Sequence, residues 1–365
     1  MKIWFFVFML LPLVGCCYIG WHVWRILPLA NVYKVIVILL MLICFGTLFH
    51  NFSFGLERYP LSVARVLYAI GTSSIIVMLY LAMLFLALDL GHLLHLVPSS
   101  FLRHSAVGSL SVVGIMLALF VYGNIHYYNK VRQPLVIDTA KPLARPVKMV
   151  LISDLHLGYH NTRADFEKWV EMINKEQADM VLIAGDIVDI SLKPILEENM
   201  AEVFSKVNAP VYACLGNHDY YAGEPKSEQF IRESGIHLLR DTCVTLPNGI
   251  TLIGRDDRTN MRRKPLAQLV NDADLSHFTI LLDHQPYHLE EAQQLGIDFQ
   301  FSGHTHYGQV WPISWIEDMM YEDAFGPLQK GKTHYYVSSG IGIWGGKFRI
   351  GTHSEYVVLT LKCLN

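Results

Sequence analysis

The first 125 residues are dominated by four stretches almost free of charge, about residues 3–24, 35–54, 66–88 and 106–125. Each reaches the roughly 17–25 residues that a helix needs to cross the hydrocarbon core of a bilayer. In lipid the backbone can satisfy its own polar groups only inside a helix or a closed barrel, so a front half of this kind has little choice but to be helical. We therefore expect an all-α transmembrane region of about four helices over residues 1–126. Leu13-Val14-Gly15-Cys16 resembles a lipoprotein cleavage site. The apolar run continues past it to Trp21 and Trp24, which suit an interfacial belt, and this favours an uncleaved span.

The 52% of hydrophobic residues in the 365-residue chain is high for a soluble enzyme, and the excess lies in these segments. Four spans put the amino terminus and the remainder of the chain on one side. Lys2, Arg58, Arg65, Lys130, Arg132 and Lys141 flank that side, against Arg25, Lys34 and Arg103 on the other. The positive-inside rule then predicts a multi-pass protein of the inner or cell membrane with its second domain in the cytoplasm. Six cysteines without CxxC spacing fit free thiols in a reducing compartment. A net charge of -3 argues against a nucleic-acid coat.

After a linker over 127–147, interrupted by Pro134, Pro142 and Pro146, apolar and amphipathic segments alternate over 148–365. Strands are expected at 149–153, 180–184, 211–215, 279–283, 299–302 and 335–338, with a short edge strand at 133–139. Helices are expected at 164–176, 194–207, 226–234 and 287–295. Asn248-Gly249 between two apolar runs predicts a hairpin pairing 243–246 with 250–253. The pattern is that of a mixed α/β domain.

Five short runs directly follow such segments: Asp154-Leu155-His156, Gly185-Asp186-Ile187-Val188-Asp189, Gly216-Asn217-His218-Asp219, Asp283-His284 and Gly303-His304-Thr305-His306. Carboxylate oxygen and imidazole nitrogen suit divalent cations, and the carboxyl ends of strands are where open sheets keep their sites. Two closely spaced ions need a shared anionic bridge, for which Asp186 is the natural candidate. Such a pair activates water, clamps phosphate oxygens and neutralises charge in an in-line displacement, the combination that phosphoester hydrolysis uses. His218 is the candidate general acid, with Asp189 positioned to orient it.

At these residues the chain closely resembles the calcineurin-like metallophosphoesterases, over about Lys148 to Leu361. The motifs D-x-H, G-D-x-x-D, G-N-H-D, a lone H and G-H-x-H are present in order. The resemblance implies a four-layer αββα sandwich with Asp154, His156, Asp186 and His306 on one ion and Asp186, Asn217, His284 and His304 on the other. It gives His218 the catalytic role argued above. Manganese, iron or zinc would suit that donor set. Phe301 to Val310 is similar to a membrane-associated branch that usually reads S-G-H-T-H-G-G-Q, except that Tyr307 replaces the first glycine. Ser338 to Gly342, and Arg349 followed by Glu355, resemble the same branch, whereas Trp344 to Phe348 departs from it.

Arg349 and Lys347 are possible phosphate contacts, and His160 is a possible neighbour of the metals. The apolar segment from Trp311 to Phe325 reads either as a loop that dips into the bilayer or as an internal lid. Four spans exceed what a tether requires, which favours a membrane-borne substrate such as a phospholipid, an undecaprenyl-type carrier or a nucleotide-linked lipid. The alternatives are a tethered hydrolase of soluble nucleotides or phosphoproteins, and a non-catalytic membrane scaffold.

Overall fold

A computed structural model describes residues 2–364, with side chains described from residue 12 onward. The chain divides into two compact units, residues 1–123 and 124–365. In the first, helices run over Lys2–Ile26, Asn31–Phe54, Leu61–Leu93 and Ser99–Leu102, and a further helix, Ala106–Tyr128, continues past the unit's end. Three of them, Asn31–Phe54, Leu61–Leu93 and Ala106–Tyr128, are long and apolar enough to cross a membrane. The first expected span, 3–24, falls within the helix Lys2–Ile26, but the side chains of residues 2–11 lie outside the described ones.

Leu61–Leu93 has 33 residues, well beyond the expected 66–88. The extension contains Asp89, whose Oδ2 accepts the Tyr18 hydroxyl at 2.8 Å and meets His22 Nε2 at 3.0 Å. Pairing within the bundle is what lets a carboxylate stay on an otherwise apolar helix. Asn51 Nδ2 likewise donates to the Leu67 carbonyl at 2.9 Å. The two helices close tightly at Gly71, where a Cβ would stand 2.9 Å from the Leu48 nitrogen.

The second unit contains twelve strands: β1 Val131–Thr139, β2 Val147–Ile152, β3 Met180–Ala184, β4 Val211–Cys214, β5 His237–Leu238, β6 Thr242–Leu246, β7 Ile250–Gly254, β8 Phe278–Leu282, β9 Phe299–Ser302, β10 Gly326–Lys330, β11 Thr333–Val337 and β12 Glu355–Cys363. They form two six-stranded sheets, ordered β1-β12-β2-β3-β4-β5 and β10-β11-β9-β8-β7-β6. Both are mixed: β12–β2, β6–β7 and β10–β11 pair antiparallel, and the other neighbours run parallel. The Asn248-Gly249 hairpin forms as expected, with Leu246 opposite Ile250.

Period-two alternation separates the layers. Met149, Leu151 and Leu182 face Leu252, Ile280, Phe299 and Phe301 between the sheets. Val150, Ile152, Val181 and Ile183 point outward onto Phe166, Trp169, Val170 and Ile173 of the helix Arg163–Lys175. On the far side Ile253 and Leu281 pack against Leu266, Leu269, Leu289 and Ala292. The result is the expected helix–sheet–sheet–helix sandwich. Strands buried on both faces explain the near-continuous apolar runs in the sequence.

Three local expectations are corrected. The helix expected over 194–207 is two short ones, Lys193–Glu197 and Ala201–Phe204, because Asn199 adopts φ 50° and ends the first. The segment read as a loop after Trp311 contains a helix, Ile313–Met320. The nine-residue β12 was not expected, yet it sits between β1 and β2.

Glu176 ties that edge together. It accepts from Arg132 of β1 at 2.8 and 3.1 Å, from the Tyr356 hydroxyl of β12 at 3.2 Å, and pairs with Lys148 of β2 at 3.0 Å. The Arg132 hydrogen bonds, helped by Lys148, hold its carboxyl down at about 2. A carboxyl held low in the fold contributes stability that is complete above its ordinary range and is lost as pH falls toward that lowered value. Between about pH 4.5 and 2, Glu176→Gln should therefore flatten part of the acid-side fall in apparent Tm, while at neutral pH it should lower Tm. Parallel melting curves of the two proteins across that window check this.

Candidate metal centre

Each of the five runs begins just past a strand: Asp154 after β2, Asp186 after β3, Asn217 after β4, His284 after β8 and His304 after β9. Because β2, β3 and β4 are parallel in one sheet and β7, β8 and β9 in the other, the ends carrying these residues converge. All seven expected ligands come together. His156 Nε2 lies 3.0 Å from His306 Nε2, 3.9 Å from Asp154 Oδ1 and 3.6 Å from Asp186 Oδ2, and His306 Nε2 lies 3.6 Å from Asp154 Oδ1. In the neighbouring group, Asn217 Oδ1 is 3.1 Å from His284 Nε2 and 2.8 Å from His304 Nδ1, and His284 Nε2 is 3.2 Å from Asp186 Oδ2. Asp186 Oδ2 is the atom common to both groups.

These separations are the edges expected of donor atoms around small cations with bonds of about 2.0–2.2 Å. Two imidazole nitrogens facing each other at 3.0 Å, with His306 Nδ1 buried and unpartnered, form a poor hydrogen bond and a good chelate. The donor set thus fits a pair of divalent cations. Burial lowers His304 to about 4 and pushes His306 well below the usual imidazole range, so both rings are held neutral, the form that binds metal. Burial would raise the Asp186 carboxyl, but the charges of His284 and His218 override it and keep it ionised.

The backbone is bent to deliver these groups. Asp154, His156, Asp186, His304 and His306 all have φ between 44° and 75°, a left-handed conformation that such residues adopt at a cost. Tyr307 shares it at φ 48°, in the position where the similar branch carries glycine. Gly216 is required by contact: a Cβ there would stand 2.2 Å from Asp186 Oδ1.

Asp189 is almost fully buried, and its Oδ1 faces both His218 Nδ1 at 3.2 Å and His156 Nδ1 at 3.3 Å. Burial would lower His218, but the Asp186 charge and the Asp189 hydrogen bond outweigh it and push the ring up to about 9. Asp219 is committed to the backbone, accepting the N–H groups of Val188 and Gly216, each at 2.8 Å. Asp283 is likewise committed elsewhere, to Arg255 and Arg263 at 3.2 Å each.

Three further side groups take partners that the sequence alone did not specify. His160 lies against the Gly345 carbonyl. Lys347 pairs with Asp165 at 2.8 Å. Arg349 is fully buried and donates to the carbonyls of His306 at 2.6 Å, Ser339 at 2.5 Å and Gly342 at 3.3 Å, and to Ser354 Oγ at 3.1 Å. It clamps the backbone that presents His306. Sequence reading also missed Ser153, whose hydroxyl donates to Asp154, and Asn161, which donates to the carbonyls of Leu155, His156 and Ile343 at 3.0 Å each. Neither carries a motif signal beyond adjacency to D-x-H.

Residues 147–308 match the calcineurin-like phosphoesterase family. An uncharacterized metallophosphoesterase of Helicobacter pylori is 32% identical over 259 residues, covering 68% of this chain and 70% of that one. A transmembrane protein with metallophosphoesterase domain from Danio rerio is 29% identical over 273 residues, covering 68% of this chain and 61% of that one. Among solved structures, TT1561 of Thermus thermophilus is similar at 10% identity and a TM-score of 0.35, over 53% of this chain and 90% of that one.

Removing the Arg349 clamp should be costly, since Arg349→Met leaves buried carbonyls unsatisfied. We expect a loss of about 3 kcal/mol or more in stability and reduced metal content, with Arg349→Lys no better, because one ammonium cannot span four acceptors. Thermal unfolding together with elemental analysis of the purified protein measures both.

Proposed function

The chain belongs to the calcineurin-like metallophosphoesterase family and is a metal-dependent phosphoester hydrolase, and from that premise we propose a multi-pass membrane enzyme that cleaves a phosphoester or pyrophosphate bond in a lipid-linked substrate. The observation that carries the lipid reading is the helix Ile313–Met320. Trp315, Ile316, Met319 and Met320 on it are exposed, with Met319 at 79%. The helix lies a short loop, residues 309–312, beyond the turn His306–Gly308, and Tyr307 of that turn links to it through a 3.3 Å hydrogen bond to Asp318. At its far end Tyr321 packs edge-on to His304, with ring centroids 6.3 Å apart. An exposed apolar face so close to polar chemistry suits acyl chains or a bilayer surface.

Asp154, His156, Asp186 and His306 would hold one cation, and Asp186, Asn217, His284 and His304 the second. When bound, such a pair supplies water activation and neutralises phosphate charge. The chain's own residues do the rest. Asp189 accepts from His218 Nδ1 and favours the protonated ring, so the proton on Nε2 is the one available to the leaving oxygen. Tyr221 and Trp344 flank that imidazole, at 5.2 and 6.2 Å between ring centroids, and limit its swing.

The flanking charges read from the sequence support a cytoplasmic position for the domain. Lys141 and Arg132 are paired with Asp298 and Glu176 in the folded domain. Topology is set during insertion, however, while those charges are still free to act.

Full-length protein in detergent with added manganese, tested against monoesters, diesters, pyrophosphates and lipid-linked esters, checks the reaction. His218→Ala should lower kcat about 100-fold on a poor leaving group and much less on nitrophenyl phosphate. An equal loss on both would remove His218 as the acid. Replacing Trp315 and Met319 with Ser should impair lipid turnover at least tenfold and spare nitrophenyl phosphate. Equal effects on the two substrates, or a preference of the wild type for soluble nucleotides, would overturn the lipid assignment.

A further inference from the structure

A cavity of about 530 Å3 opens at one end of the first unit, lined by Trp21, Trp24, Arg25, Arg103 and His104. Arg25 stands at the end of the helix Lys2–Ile26, and Arg103 and His104 follow the short helix Ser99–Leu102. Cations from segments far apart in sequence thus converge on one concavity. The backbone holds them there: His104 N donates to the Arg25 carbonyl and Ser105 N to the Ile26 carbonyl, each at 2.8 Å. Lys34, fully buried, donates Nζ to the Trp24 carbonyl at 2.9 Å and to His104 Nδ1 at 3.4 Å. The Arg25 guanidinium lies 4.3 Å from the Trp21 ring centroid.

Among the described residues, no carboxylate pairs with either guanidinium. The unit has two acidic residues, Glu57 and Asp89. Asp89 is engaged by Tyr18 and His22, and Glu57 lies in the turn after Asn31–Phe54, at the opposite end of that helix from Lys34. Independent snorkelling arginines would spread apart to lower their mutual repulsion. Here both line one open depression of ligand size, with no carboxylate among the described residues paired to either.

We infer that this cavity binds the phosphate of an anionic, acyl-bearing lipid. Guanidinium groups take oxyanions through paired N–H donors. The indoles of Trp21 and Trp24 suit the interfacial part of such a molecule, and the exposed Leu29 and Val32 nearby in sequence suit its chains. The inference rests on the membrane reading of these helices made above. It is independent of the metal centre and its substrate.

The test uses full-length protein in nanodiscs of phosphatidylcholine doped with phosphatidylglycerol. Retained lipid is read by native mass spectrometry and binding by tryptophan fluorescence. Wild type should retain phosphatidylglycerol in preference, and Arg25→Gln/Arg103→Gln should lose about tenfold in that preference, with turnover of a soluble phosphoester unchanged as the check on folding. Arg25→Lys/Arg103→Lys should keep part of it. Equal retention of both lipids by the wild type, an unchanged preference in the glutamine pair, or a lysine pair as defective as the glutamine pair would each overturn the inference. So would a fluorescence response to inorganic phosphate as large as that to the lipid, since the source would then be soluble. Carbonate extraction of native membranes tests the bilayer reading separately: protein that washes off fails that reading, and protein that stays but ignores headgroup charge fails only this inference.

Discussion

One carboxylate sets the geometry on which the candidate metal centre depends. Asp186 Oδ1 accepts the His218 backbone N–H at 2.8 Å, while Oδ2 stands 3.6 Å from His156 Nε2 and 3.2 Å from His284 Nε2. These partners arrive from β2, β4 and β8, in two different sheets. No single sheet can surround one oxygen in this way. Two sheets stacked with their carboxyl ends level can, and the apolar layer between them, from Met149 to Phe301, fixes their spacing. The sandwich is therefore a device for bringing strand ends from both sheets around one aspartate.

That arrangement is electrostatically demanding. Asp154, Asp186, Asp189 and Asp219 are all 2% exposed or less within one small region. Buried anions are tolerated when they are hydrogen-bonded or paired, and several here are met by backbone N–H groups: His304 on Asp154, His218 on Asp186, and Val188 and Gly216 on Asp219. Asp154, Asp186 and His304 each take a left-handed turn just past the end of their strands, which brings the backbone and side chains of the two sheets together here. Imidazoles supply part of the remaining counter-charge. Divalent cations would supply the rest, which couples occupancy of the centre to stability of the domain.

The parts of this design that were legible in the sequence share a physical cause. A strand buried on both faces reads as an unbroken apolar run, and a ligand just beyond it reads as a polar break, so Met180–Ala184 followed by Gly185-Asp186 announced itself. Asn248-Gly249 did the same for the β6–β7 turn. Local pattern could not reveal what tertiary partners decide. Arg349 looked like a surface cation near a glycine-rich turn, and only its four buried acceptors define it as a clamp. Glu355 to Cys363 lacked a breaker that would mark it as a strand, and β12 owes its place to neighbours on both sides. Asn199 interrupted a helix that periodicity alone would continue.

The same distinction separates a tether from a structured membrane unit. A tether needs one apolar helix and gains nothing from polar groups inside it. This unit instead buries Lys34, His22 and Asn51 and holds Asp89 against two partners. Each such group must be matched by another at a defined position, or the desolvation cost stands uncompensated. Matching of this kind specifies how the helices pack, through Asn51 on Leu67, Lys34 on Trp24 and His104, and Asp89 on Tyr18 and His22. Helices joined through such pairs cannot slide or rotate freely past one another. The first unit thus has a fixed interior of its own, with the positional precision that a binding site requires and an anchor does not.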